Sequence, residues 1–122
     1  SKNLDLVFLI HTSQKVNKNT YAYYKQLMHD IIRDANVDAG NVRVSIVVYR
    51  KRALVAFNLK KYKTMSTLLD AIENLKLYRA KIGNVAIGLD MVKSKVLTPA
   101  AGDRLENAPN VVIILTDAIS KA

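Results

Sequence analysis

The amino-acid sequence predicts a doubly wound α/β domain, a mostly parallel sheet with one antiparallel edge strand and helices on both faces. Three observations carry that prediction. Short runs rich in valine, isoleucine and leucine recur at Leu4–Ile10, Val42–Tyr49 and Val111–Leu115, the pattern of strands buried on both faces. Segments with apolar residues at helical spacing lie between them. Strands that alternate with amphipathic helices are joined by crossovers and therefore pair in parallel.

Leu4–Ile10 is the first strand, and it ends in the polar stretch His11-Thr12-Ser13-Gln14-Lys15. A helix is expected from about Asn19 to Asn36, where Tyr21, Tyr24, Met28, Ile31 and Ala35 form a stripe widened by Leu27 and Ile32. Asp38-Ala39-Gly40 stops it. Val42–Tyr49 is the second strand, rich in β-branched residues. Arg50-Lys51-Arg52 separates it from Ala53–Leu59, whose short span fits an antiparallel edge strand reached through a tight turn. A second helix is expected around Thr64–Leu75, with Met65, Leu68, Leu69, Ile72 and Leu75 inward. A third spans roughly Asn84–Leu97, with Val85, Leu89, Val92 and Val96 on one face. Pro99, Gly102 and Pro109 mark a loop over Thr98–Pro109, and Val111–Leu115 is the last strand.

The chain has 122 residues, 50% of them hydrophobic, enough for one buried core, and no repeat, low-complexity tract or linker divides it. One domain over residues 1–122 is expected. The last strand is apolar throughout, as if flanked on both sides, yet only seven residues follow it. An exposed, flat, hydrophobic edge is an aggregation hazard, so the domain is expected to lack its C-terminal part. Apolar runs of about five residues are far short of the roughly 20 needed to span a bilayer, and no membrane insertion is expected. No charged-then-apolar leader precedes the first strand, so any secretion signal has been removed or never existed. The absence of cysteine excludes a disulfide scaffold and thiolate metal sites without identifying a compartment. No Asn-x-Ser/Thr acceptor occurs either. The formal charge of +9 favours polyanionic or acidic partners through long-range, salt-sensitive attraction, or serves as a solubilising surface.

In doubly wound sheets ligands gather at the carboxyl ends of the strands, near the point where strand order reverses. His11 to Lys15 and Thr116-Asp117 both lie at such ends and are expected to be neighbours. These stretches also carry a family resemblance. Leu6-Val7-Phe8-Leu9-Ile10-His11-Thr12-Ser13-Gln14-Lys15 resembles the opening of a von Willebrand factor type A (VWA) domain, whose first strand delivers an Asp-x-Ser-x-Ser loop that holds a divalent cation. Val42–Tyr49 resembles the family's second strand. Gly83-Asn84-Val85-Ala86-Ile87-Gly88-Leu89 resembles its Gly-Gly-x-Thr-x-Thr-Gly-like loop. Val111–Ala118 resembles its Leu-Thr-Asp-Gly strand end. Phe57-Asn58-Leu59, Tyr62-Lys63-Thr64 and Leu68-Leu69-Asp70-Ala71-Ile72 resemble the collagen VI members.

Carried over position by position, the resemblance implies a degenerate metal-ion-dependent adhesion site. The first aspartate falls on His11, the first serine on Ser13, the second serine on Lys15, the loop threonine on Gly83 and the later aspartate on Asp117. Ser13 and Asp117 match; the other three do not, and Ala118 replaces the glycine after the aspartate. Magnesium needs hard oxygen ligands, and an imidazole nitrogen suits it poorly. A unit-charge pair at about 4 Å and an effective dielectric of about 20 is worth about 4 kcal/mol, so Lys15 would repel a dication. Magnesium is possible here but not expected, and no other cofactor is implied. Either the Lys15 ammonium takes the ion's place and pairs with Asp117, or Lys15 points to solvent beside an empty site.

Other chemistries are weaker. His11, Ser13 and Asp117 could mimic a hydrolase triad, but there is no Gly-x-Ser-x-Gly elbow and His11 and Ser13 share one short loop. His11 and His29 are the only histidines, too few for a zinc site, and His29 reads as a surface residue. Gly83-x-x-x-x-Gly88 lacks the lysine and hydroxyl of a phosphate loop; its glycines fit a tight turn and helix packing. An enzyme is not expected. Arg50, Lys51 and Arg52 at the turn, and Lys60, Lys61 and Lys63 after the edge strand, are candidate contacts for a polyanion, although they sit toward opposite ends of one short strand. Arg79 and Lys81 lie in a further loop. Tyr62 alone interleaves the second cluster, which falls short of the aromatic platform of nucleic-acid binders, so heparan sulfate or an acidic protein surface is the expected polyanion and nucleic acid is not. Tyr21, Tyr23 and Tyr24 read as helix packing with an amphipathic rim. The resemblance implies a secreted module of the extracellular matrix that binds other matrix proteins, without a bridging cation. A cation-dependent adhesion domain and an intracellular VWA scaffold are the alternatives.

Overall fold

The computed structural model describes residues 3–12, 18–77 and 85–116. Strand β1 (Leu4–His11) is followed by helix α1 (Lys18–Ile32), strands β2 (Val42–Tyr49) and β3 (Ala53–Phe57), helices α2 (Met65–Glu73) and α3 (Val85–Met91), and strand β4 (Asn110–Leu115). The sheet order is β3-β2-β1-β4. β1 pairs in parallel with β2, from Leu4↔Val42 to His11↔Tyr49, and with β4, from Asp5↔Asn110 to Ile10↔Leu115. β3 is the antiparallel edge, with a register irregularity at Ile46/Val47. The doubly wound architecture read from the sequence is the one observed.

Strand alternation distributes the core between two layers. Leu6, Phe8 and Ile10 of β1 meet Tyr24, Met28 and Ile32 of α1 and Leu68 and Ile72 of α2. Val7 and Leu9 face the other way, against Val47, Tyr49, Val92 and Val96. Hence β1 is covered on both faces, as its unbroken apolar run requires. No described helix is long and apolar enough to cross a membrane.

Several boundaries and faces differ from expectation. α1 ends at Ile32, short of Asn36. Ala35 N–H donates to Ile32 O, the Asn36 side chain accepts from Ala39 N–H, and Gly40 takes a positive φ of 84°, so the chain reverses toward β2 early. Ile32 points inward and Ile31 outward. β3 stops at Phe57, although Leu59 beyond it is buried. Thr64 is the N-cap of α2, its hydroxyl accepting from Thr67 N–H. The third helical segment turns a different face to the sheet: Gly88, Val92 and Val96 are buried, while Val85 and Leu89 are exposed. From Val92 it widens into a π-helical turn closed by Leu97 N–H donating to Val92 O. The loop before β4 contains two short 3₁₀ turns, Pro99–Ala101 and Leu105–Asn107. β4 departs from its apolar pattern in burial, with Val111 and Ile114 about two-fifths exposed; among the described residues it has a neighbour on one side, β1.

One polar element holds the base of the sheet. Asp5 is fully buried and Arg104 closes on it, with Nη2 to Asp5 Oδ1 at 2.7 Å and Nε to the same oxygen at 2.8 Å. Arg104 N–H donates to Asp5 Oδ2, and the guanidinium also donates to the carbonyls of Leu4, Gly40 and Asn41. A lone carboxylate inside an otherwise apolar strand signals a buried cationic partner.

Candidate functional site

The strand ends opposite that clasp bring together residues from β1, β2 and the segment after β4. His11 closes β1 and pairs in register with Tyr49, which closes β2. Neighbouring residues of a parallel pair project to the same side, so the two rings stack, 5.0 Å apart and inclined by 23°. Thr12 N–H donates to Tyr49 O at 2.9 Å, which extends the pairing by one residue. The Thr12 hydroxyl donates to the same carbonyl at 3.4 Å. Thr116, just past β4, places its hydroxyl 3.3 Å from His11 Nδ1, with the donor set by the imidazole tautomer. His11, Thr12 and Tyr49 are all buried.

Tyr49 is itself braced from below. A Cβ added at Gly88 would lie 2.7 Å from Leu9 Cδ1 and 3.0 Å from Tyr49 Cδ1, so α3 rests directly on these side chains. Burial pushes the Tyr49 phenol above its ordinary pKa, and a side-chain hydrogen bond with Thr116 partly offsets that rise. Tyr49 is therefore a neutral aromatic wall at physiological pH. The result is a packed aromatic pair with a hydroxyl at one ring nitrogen, an arrangement that fixes His11. Among the described residues no group of three or more histidine or carboxylate side chains converges.

Of the five positions expected to form the site, His11 lies at the strand ends as anticipated, with Thr116 beside it. Ser13, Lys15, Gly83 and Asp117 lie outside the described residues, as do Arg79 and Lys81. The Arg50-Lys51-Arg52 turn follows Tyr49 directly, and Arg50 N–H donates to Arg52 O. That turn therefore belongs to the same end of the sheet as His11. Lys60, Lys61 and Lys63 follow Phe57, and β3 runs antiparallel to β2, which carries them to the opposite end. The two basic clusters are not one patch. Tyr62 packs edge-on against Phe57 with centroids 4.9 Å apart, a structural contact. His29 is exposed on α1, as expected. Tyr49 was the part of the site that residue types alone did not mark; its position as the last residue of a strand adjoining β1 was the available signal.

Against known proteins, the profile of the von Willebrand factor type A domain matches residues 5–122. The chain belongs to the VWA family. This VWA chain is 29% identical over 119 residues to the mouse collagen alpha-4(VI) chain, covering 95% of itself and 5% of that relative. It is also 29% identical over 118 residues to mouse matrilin-3, covering 96% of itself and 24% of that relative. The VWA chain thus spans a quarter or less of these two proteins. Among solved structures, proximal thread matrix protein 1 from the mussel byssus superposes with a TM-score of 0.90 at 21% identity, over 99% of this chain and 32% of that one, a likeness that establishes the fold. That mussel protein has also been solved with a zinc-occupied adhesion-site motif.

Proposed function

We propose that this VWA chain is a protein–protein interaction or assembly module of the extracellular matrix, and that it engages its partner at the strand-end face without a bridging divalent cation. The observation that carries the cation-free reading is the packing of His11. At the strand end where the family places its first acidic ligand, this chain has an imidazole stacked on Tyr49 and bonded to Thr116. A magnesium site there would lose its carboxylate and gain a ring that is already engaged. The positive charge of Lys15 adds to the penalty. The same immobilised ring supports a binding role over a hydrolytic one. The matrix setting rests on the collagen VI and matrilin relatives, and with it a secreted location.

Calorimetric titration with magnesium, manganese and zinc tests the cation-free reading. The natural chain is expected to give no saturable heat, whereas a His11→Asp, Lys15→Ser, Gly83→Thr variant gains magnesium or manganese binding. Saturable binding by the natural chain would restore a cation-bridged mechanism.

The Arg50-Lys51-Arg52 turn supplies the charge at this face. An acidic protein surface or heparan sulfate is the partner chemistry it fits, with attraction that weakens as salt rises. Replacing all three residues by glutamine is expected to slow association with such a partner about tenfold at low salt and to flatten its salt dependence. Measured association rates that do not change would remove the turn from the interface. Lys60, Lys61 and Lys63, at the other end of the sheet, form a separate polyanion contact in this reading.

A further inference from the structure

A second surface lies away from the strand-end face, along the outer side of α1 and α2. Two hydrogen bonds define how these helices run. The Asp38 carboxylate, just beyond α1, accepts from Met65 N–H at the start of α2. Lys25, at the midpoint of α1, donates to Glu73 O at the end of α2, at 2.8 Å. The helices are therefore antiparallel, and their buried residues Tyr24, Met28, Leu68 and Ile72 fill the layer beneath. Above that layer a groove of about 650 Å³ stays open between them, within the size range of functional pockets.

The lining divides by chemistry. Tyr21, Leu69, Leu75 and Leu77 are half-buried and give the groove an apolar floor over Ile72. Lys18, Lys25 and His29 stand along the α1 side, while Glu73 is the one carboxylate among the lining residues. From Lys18 to His29 the rim runs about 16 Å at roughly 1.5 Å per helical residue, or about three turns. An elongated apolar floor beside a basic rim matches the complementary stripe of an amphipathic helix. A sulfated polysaccharide would gain nothing from the leucines. A purely apolar helix would leave Lys18 and Lys25 without counter-charges.

We propose that this groove docks a short amphipathic helix of a partner protein, with leucine-type side chains on the floor and carboxylates facing Lys18, Lys25 and His29. The chain's excess of positive charge steers such a segment toward it. This surface is distinct from His11 and the Arg50–Arg52 turn, so it stands or falls separately from the cation-free reading.

The test is an NMR titration of the isotope-labelled chain with a synthetic peptide of about four helical turns, with leucines at helical spacing and glutamates elsewhere. Amide shifts are expected to centre on Ala22, Gln26 and Leu69. A Lys18→Glu, His29→Glu variant should weaken binding about tenfold or more, and so should raised salt. Ala22→Phe, which fills the groove from an exposed helix position without changing charge, should weaken it as well. Glutamine at positions 50, 51 and 52 should leave affinity unchanged. The proposal is overturned if a scrambled peptide of the same composition binds as well. It is also overturned if shifts centre on the Arg50–Arg52 turn, or if millimolar peptide moves no amide.

Discussion

Arg104→Met is expected to lower stability by about 3–5 kcal/mol, the cost of leaving a buried charge without its partner. Asp5 is fully buried, and Arg104 supplies both the counter-charge and the main hydrogen bonds to its carboxylate. The guanidinium also bonds the carbonyls of Leu4, Gly40 and Asn41. It thus ties the start of β1 to the turn that leads into β2. Arg104→Lys is expected to recover little, because one ammonium lacks the planar fork that reaches these acceptors together. An Asp5→Leu, Arg104→Met double variant should lose less than the single Arg104 change, since removing both charges abolishes the desolvation penalty. Urea unfolding of the three variants measures this. A loss below about 1 kcal/mol for Arg104→Met would place the pair with weak surface bridges.

Gly88→Val is the second large effect. The valine Cβ would overlap Leu9 Cδ1 at 2.7 Å and crowd Tyr49 Cβ at 3.1 Å. Leu9 is fully enclosed and Tyr49 nearly so, and neither has room to yield. Overpacking of this kind costs about 1–3 kcal/mol, and the upper part of that range is expected here. Gly88→Ala should cost less, because the gain in helix propensity, about 1 kcal/mol, opposes a smaller clash. Because Gly88 braces the ring that stacks on His11, the valine variant should also shift the His11 ring resonances, read by NMR. Unchanged resonances with normal stability would show that α3 can move away from the sheet freely.

Most elements were legible because their signal is local. Val42–Tyr49 was read with both ends correct, since β-branched residues recur along it from Val42 to Val48. Thr64 was placed at the start of α2 and caps it. Errors arose where a contact chooses between two faces the pattern allows. Ile31 and Ile32 both fit the stripe of α1, and only Ile32 meets the core. Val85 and Leu89 read as inward because glycine carries no hydropathy signal, yet Gly88 makes the closest approach to the sheet. At the site, His11 was visible from sequence as the polar residue that ends an apolar strand. Its stacking on Tyr49 was not, because the partner lies on another strand.

The sequence by itself determined the doubly wound fold and the place of His11 at the end of its first strand. Each follows from short-range periodicity or from residue type. The tertiary structure alone decided what joins residues far apart in the chain. It closed Arg104 on Asp5 across 99 positions and stacked the His11 ring on Tyr49 of the neighbouring strand. Those pairings depend on strand register and helix direction, which arise when the whole core packs and leave no mark in any local stretch of sequence.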